Sequence, residues 1–252
     1  MAEPGRGVIF VATGAGYLEL ATRAAGTVRA CMPDIPIDLF TDQDAVAGDP
    51  FDAIHRVEGG DPRIRISCMA ETRFDRTLMM DADTWMVQPV QDVFDLLDRF
   101  DLALAHDPDR VSPRAMAEAA AGIPEAFPEF NGGIIAWRRN AATDRFLRDW
   151  KAAYDAQGGP PDQVPLRRVL WQSDLRIATL PQEYNLFQLN LIDAFSRMNA
   201  SPKIIHSFRL HQHLRGHDRI ETLEQLLGPR RFAKLQTLVR HRRRMVRRAG
   251  RS

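Results

Sequence analysis

The sequence predicts an α/β fold with a mixed central sheet, and three observations predict it. Short apolar runs alternate with helix-spaced segments through the first 80 residues; such alternation sets consecutive strands parallel, with helices crossing between them. Two aspartates one residue apart, Asp81 and Asp83, follow directly on the apolar residues 77–80. That is where an open α/β sheet carries its ligands, beyond the carboxyl ends of its strands. In the second half the alternation loses its regularity, and the sheet there is expected to be mixed.

Taken in order, residues 8–12 read as a buried first strand, "TGAGY" as a turn, and residues 18–30 as a helix by their spacing. "IPIDLFTD" is a second strand ending at Thr41 and Asp42, and "FDAIHRV" a short third. Residues 64–74 read as a helix with Ile64, Cys68 and Met69 on one side, and residues 77–80 as a central strand. Strands follow at "DLALAH" and "GGIIAWRR". Residues 140–156 form a helix whose apolar face carries Phe146, Leu147, Trp150 and Tyr154. The turn "QGGPPDQ" precedes a short helix, and "LRIATLP" and "KIIHSF" are further strands. Past Gly216 the chain turns helical and basic, so one domain is expected over residues 1–215 and a basic helical tail over 216–252.

Composition sets the class. At 252 residues, 44% apolar and 27% charged, the chain can bury a sizeable core. The formal net charge of +1 hides an asymmetry: residues 230–252 hold ten basic residues and no acid, which leaves −9 on the first 229. Cys31 and Cys68 are too few for a disulfide framework or a zinc site, and a reducing compartment is expected. The apolar run near the start is too short for a signal peptide, and no run approaches a membrane span. The expectation is a cytoplasmic protein, which its tail could hold at the inner face of the membrane.

Two carboxylates at a strand end suit a divalent cation with oxygen ligands, which can bridge to phosphate; a solvated Asp turn is the alternative. A calcium-loop reading fails because Trp85 and Met86 stand at the fifth and sixth positions, where an oxygen ligand and a glycine are needed. A phosphatase D-x-D motif also fails at Trp85. His206, His211, His213 and His217 could chelate zinc, but no cysteine lies near them. Glu19 at the third glycine position argues against a dinucleotide fingerprint in "TGAGYLE".

"DADTWMVQPV" after an apolar strand resembles the metal-binding motif of GT-A glycosyltransferases, the Rossmann-like nucleotide-diphospho-sugar transferases, and within them the glycogenin-like and galactosyltransferase-like family 8. Other motifs follow in that family's order between Val8 and His206: "FVATGAGY", with Thr13 and Tyr17 at the family spacing; Arg65, where the family often has lysine; "FNGGIIAW"; Asp162 with Gln163; "LPQEYN"; and "IIHSF". The resemblance implies a metal-dependent hexosyltransferase that moves a hexose from a nucleotide-sugar, a UDP-sugar by this likeness, to a hydroxyl acceptor with retention. It implies Mn²⁺ or Mg²⁺ on Asp81, Asp83 and His206. Tyr17 and Thr13 would meet the base, Arg65 the phosphates or sugar, and Ala82, Asn131, Gly132 and Gly133 the donor. Asp162 and Gln163 would stand near the anomeric carbon. Each has a plainer reading: Tyr17 as packing, Arg65 as a surface charge, Asn131 to Gly133 as a turn, Asp162 as a helix cap.

The chain departs from the family at Arg209 and Gln212, which replace a glycine and a diphosphate-binding lysine, and at Gly159, which replaces an aspartate of glycogenin-like members. Arg209 is the residue expected to supply the missing charge. A sugar-1-phosphate nucleotidyltransferase and a non-catalytic nucleotide- or carbohydrate-binding relative stand as alternatives. In the tail, Phe232, Leu235, Leu238, Val239, Met245 and Val246 recur at three- and four-residue spacing among arginines. That pattern suits an anionic membrane surface or a helix packed on the body; nucleic acid is disfavoured for want of an aromatic platform.

Overall fold

The computed structural model describes residues 5–45, 47–48, 50–58, 64–111, 113, 116, 122–158 and 161–249. Gly159 and the last residues of the tail, 250–252, lie outside them. The first half runs β1 (Arg6–Ala12), α1 (Ala15–Cys31), β2 (Ile37–Thr41), β3 (Ala53–Arg56), α2 (Ile64–Ala70) and β4 (Arg76–Met80). These four strands are parallel neighbours in the order β3-β2-β1-β4. The sheet continues through β7 (Phe130–Arg138), β6 (Leu102–His106) and β8 (Ile177–Leu180), making seven strands. β7 is antiparallel to both β4 and β6, and β8 is parallel to β6. The sheet is thus mixed, with one reversed strand beside the central one.

Both faces of the sheet are covered, which is why its inner strands are nearly continuously apolar instead of alternating. Val8, Phe10, Leu78 and Met80 pack on one side against Leu20, Ala24 and Val28 of α1. Ile9, Met79, Ile135 and Trp137 pack on the other against α4 (Ala141–Gln157). α4 buries Phe146, Leu147, Trp150 and Tyr154, the face its spacing predicts. Each such side chain contributes about 1.5–3 kcal/mol on burial. Asn140 starts α4 with a reciprocal cap: its side chain accepts from Ala142 N and Thr143 N, and Thr143 Oγ1 accepts from Asn140 N.

Several elements differ from the expectation. α1 begins at Ala15, so the turn before it is confined to Thr13 and Gly14 (φ 83°). α2 stops at Ala70 instead of residue 74. There Thr72 Oγ1 accepts from Phe74 N and bonds Thr77 Oγ1, while Arg73 turns to Asp38, and these local bonds replace the helical ones. Asn131, Gly132 and Gly133 lie inside β7 and do not form a turn. Among the described residues, β5 (Thr84–Met86), the short α3 (Asp92–Leu96) and a four-residue helix at Leu191–Ala194 had no sequence forecast.

The remaining chain forms α5 (Gln163–Gln172), α6 (Leu191–Ala194), β9 (Ile204–His206) and α7 (Leu223–Ala249). β9 pairs antiparallel with β5 as a separate two-stranded sheet. α7 is interrupted at Gly228, where φ 74° and ψ 160° leave the helical range before Pro229. A third apolar cluster joins Leu186, Ile205 and Leu210 to Leu226, Leu227 and Leu235 of α7. Arg231 pairs with Asp193 at 2.7 Å. The apolar stripe of the tail packs on the body as far as Val239; Met245 and Val246 beyond it are exposed. No helix of the described residues is long and apolar enough to cross a membrane.

Candidate active site

The two aspartates sit where β4 leaves the sheet. Asp81 N still donates to Gly133 O at 2.8 Å, extending the ladder to β7 by one residue. The chain then bends, with Thr84 Oγ1 donating to Asp81 O at 2.7 Å, and enters β5. Thr84 pairs opposite His206 of β9, and Ser207 N donates to Asp83 O at 3.0 Å. This pairing brings a histidine from the far end of the sequence to the aspartate pair. His206 Nε2 lies 3.2 Å from Asp83 Oδ1, and ligand atoms of Asp81, Asp83 and His206 all fall within 4.8 Å of one another. The other ring nitrogen, Nδ1, faces Asn185 Oδ1 at 3.0 Å. Such an acceptor fixes the proton on Nδ1 and turns the Nε2 lone pair toward the carboxylates, the arrangement that supports a metal-ligating imidazole.

The site has a floor without side chains. A Cβ on Gly133 would lie 2.3 Å from His206 Cε1 and 3.0 Å from Asp81 Oδ2; one on Gly132 would lie 2.7 Å from Arg65 Nη2. Glycine is required here for close approach, since neither residue has positive φ. Arg65, from the start of α2, spans the floor. Its Nη1 donates to Asp81 Oδ1 at 2.6 Å and its Nη2 to Asp162 Oδ2 at 2.5 Å. Asp162 starts α5 yet makes no side-chain cap bond; its carboxylate goes to Arg65. Arg65 is therefore a largely buried clamp between two carboxylates, not a surface charge.

A second strand-end carboxylate orders the other wall. Asp107, just past β6, accepts from Gln163 Nε2 at 2.6 Å and from Asn131 Nδ2 at 3.2 Å. Asn131 Oδ1 in turn accepts from Gly133 N at 3.0 Å and Asn185 Nδ2 at 2.9 Å. One chain of amides thus runs from Gln163 through Asp107, Asn131 and Asn185 to His206.

These groups line one cleft of about 710 Å³. Thr13, Tyr17, Arg65, Asp81, Ala82, Asp83, Asn131, Gly132, Gly133, Asp162, Gln163 and His206, all expected from sequence, line it together. Arg209 does not: its Nη1 donates to Leu226 O at 2.8 Å, toward the tail. The cleft also takes in Asp107, Asp109, Phe187, Phe208 and Arg215, for which no sequence role had been assigned, and His211, weighed from sequence only as a zinc ligand. Asn185 lies behind His206; it ends the "LPQEYN" motif, which was recognised without a role for this residue. Asp107 did carry a signal, since it follows an apolar strand as Asp81 does. Thr13 and Tyr17 are held at the rim because Asp42, at the end of β2, accepts from Gly14 N at 2.7 Å.

Electrostatics couple the site. Burial alone would raise Asp83, but His206 at one oxygen and His211 Nδ1 at the other, 2.9 Å away, hold its carboxyl far below the usual range. Burial likewise lowers His206, yet Asp83, with Asp81 behind it, keeps its imidazole above its ordinary value. Two carboxylates and an imidazole form a donor set for a divalent ion such as Mn²⁺ or Mg²⁺.

Comparisons with known proteins bear on the family and the fold. Residues 75–213 match the sequence model of a family described as nucleotide-diphospho-sugar transferase. No curated protein matches. Among solved structures, the chain is similar to the galactosyltransferase LgtC, described in complex with donor and acceptor sugar analogs. The two are 15% identical with a TM-score of 0.62, covering 92% of this chain and 94% of that one. It is also similar to the glycosyltransferase GlyE of Streptococcus pneumoniae TIGR4, at 16% identity and a TM-score of 0.59, covering 93% of this chain and 63% of that one. At such identities the likeness is one of fold.

Proposed function

The chain belongs to the nucleotide-diphospho-sugar transferase family, and from that premise we propose that this GT-A glycosyltransferase moves a hexose from a UDP-sugar to a hydroxyl of a sugar acceptor, with a divalent ion and with retention. The observation that carries the reading is the meeting of Asp81, Asp83 and His206 beside a floor of two glycines. The first three would hold Mn²⁺ or Mg²⁺. When bound, the ion would offset the charge of the leaving diphosphate. Gly132 and Gly133 admit the donor sugar close to the backbone, and Arg65 keeps Asp162 and Asp81 in place beneath it. Asp107 orients the Gln163 amide at the same wall.

Retention is supported by how four of the cleft's five aspartates are engaged; the fifth, Asp109, is exposed. Asp81 and Asp162 accept from Arg65, Asp107 from two amides, and Asp83 faces two histidines. Carboxylates so committed are poorly placed to deprotonate an acceptor. In a front-side transfer the acceptor oxygen bonds to the anomeric carbon as the bond to the diphosphate breaks, and the acceptor's proton passes to the departing phosphate oxygen. Incubation with UDP-hexoses and Mn²⁺ should release UDP slowly even without acceptor, stop on adding EDTA, and give an axial-to-axial product by NMR once an acceptor is supplied. Absence of turnover with every nucleotide-sugar tried would refute the donor assignment; an inverted product would refute retention.

A second reading concerns the tail. Met245 and Val246 are exposed among Arg243, Arg244, Arg247 and Arg248, which supports contact with an anionic lipid surface. Truncation after residue 240 keeps the packed part of the stripe. It should abolish cosedimentation with anionic vesicles at low salt; a full-length protein that ignores such vesicles removes this reading.

A further inference from the structure

Two arginines line the cleft among the described residues, and they differ in one respect. Arg65 is committed to Asp81 and Asp162. Arg215 is exposed and has no carboxylate partner among the described residues. The same cleft holds five aspartates, Asp81, Asp83, Asp107, Asp109 and Asp162. A diphosphate entering it needs countercharge beyond that of one ion, because like charges at short range destabilise binding.

The backbone beneath Arg215 is well fixed. It ends the tight turn Gln212–Arg215, which Gly216 closes in the left-handed region at φ 87°, with Gly216 N donating to His213 O at 3.1 Å. The preceding Leu214 sits so close to the first turn of α1 that a Cβ on Gly16 would lie 2.4 Å from Leu214 Cδ2. His211, four residues earlier, stands between the two ends of the cleft. Its ring centroid is 6.2 Å from that of Tyr17, and its Nδ1 is 2.9 Å from Asp83 Oδ2. A ligand reaching from Tyr17 at the rim to the Asp81–Asp83 pair therefore passes the segment that carries Arg215.

We propose that Arg215 is the arginine that binds the diphosphate, in the donor and in the nucleotide left after transfer. This rests on the nucleotide-sugar reading above. It moves the charge that the sequence assigned to Arg209, whose guanidinium is taken by Leu226 O, to a residue six positions later. Guanidinium suits the role because its planar fork can meet two phosphate oxygens at once.

Calorimetric titration of wild type, Arg215→Ala, Arg215→Lys and Arg209→Ala tests it, with UDP and uridine in Mn²⁺ and with pyrophosphate in Mg²⁺. Arg215→Ala should weaken UDP and pyrophosphate about 10- to 100-fold, the range of a lost charge-assisted bond. Uridine affinity and melting temperature should stay as in wild type, and Arg215→Lys should recover part of the loss. The proposal is overturned if Arg215→Ala binds UDP and pyrophosphate as wild type does, if uridine falls in step with UDP, or if the loss appears in Arg209→Ala instead. A wild-type protein that binds neither UDP nor pyrophosphate would take down the nucleotide-sugar reading and this one with it. Binding by wild type with no change in Arg215→Ala would take down this one alone.

Discussion

Asp101 and Asp83 are both nearly buried acids at the edges of the same sheet, yet their surroundings differ in kind. Asp101, at the start of β6, is closed off by donors that belong to the scaffold. Its Oδ1 accepts from Arg138 Nε and Nη2 at 2.9 and 2.6 Å and from Asn140 Nδ2 at 3.2 Å; its Oδ2 accepts from Arg176 N at 3.0 Å. Against the upward push of burial, these bonds bring its carboxyl to about 2. Asp83 instead faces two histidines, which can give up protons, beside a second carboxylate and an open cleft. One cluster is fully answered within the chain and holds β6, β7 and β8 together. The other is answered by groups a cation can replace. A buried acid alone is therefore a weak sign of function; the exchangeability of its partners is the stronger sign.

The comparison can be broken in four ways. The largest effect should come from Asp83→Ala, which we expect to lower transfer roughly a thousandfold, the equivalent of several kcal/mol. Its metal-free melting temperature should also fall, though by less than in Asp101→Ala, because His206 and His211 lose a charged partner. If transfer survives in a steady-state assay, the ion reading fails. Asp101→Ala should do the reverse. It strands two arginines at the sheet edge and should cost about 2–3 kcal/mol in a denaturant titration, while Mn²⁺-dependent nucleotide binding of the folded fraction is kept. Loss of that binding would mean the two clusters are coupled.

Gly133→Ala probes the floor. The added methyl meets His206 at 2.3 Å, and displacing that ring should weaken Mn²⁺ about 10- to 100-fold at a stability cost of about 1–3 kcal/mol. An alanine variant with wild-type Mn²⁺ affinity would show that His206 is dispensable.

The smallest effect is one of pH. His206 is held above its ordinary value in the folded, metal-free protein. Its proton therefore stabilises that state below the ordinary histidine range, and the contribution is lost as pH rises through the raised value. An ion must displace the same proton. Mn²⁺ affinity should climb by up to about tenfold per pH unit below the raised value and level off above it. A flat profile from pH 5 to 8 would contradict this.

Much of this was legible beforehand, for physical reasons. β1, β2 and β4 could be read because fully buried parallel strands leave largely continuous apolar runs, and Asp81 and Asp83 stood out because two carboxylates together at such a strand end need a positive partner. β5 could not, because three residues are too few to show a period, and its pairing to β9 depends on where the chain returns. Asp162 resembled a cap in sequence; only the tertiary fold shows Arg65 at its carboxylate. Arg209 and Arg215 could not be told apart, because a long flexible side chain takes its direction from its neighbours. The tail gave an amphipathic period but not where along it the packing stops.

The pairing of Thr84 with His206 also sets when the site can exist. A nascent chain released at about 5–20 residues per second completes β1 to β4 long before β9 leaves the ribosome. Until β9 docks, Asp81 and Asp83 lack their histidine, and closing a loop of more than a hundred residues is a slow, non-local step. Metal capture should therefore be among the last events of folding. An amino-terminal fragment ending before β9 could form much of the parallel sheet while remaining blind to the ion.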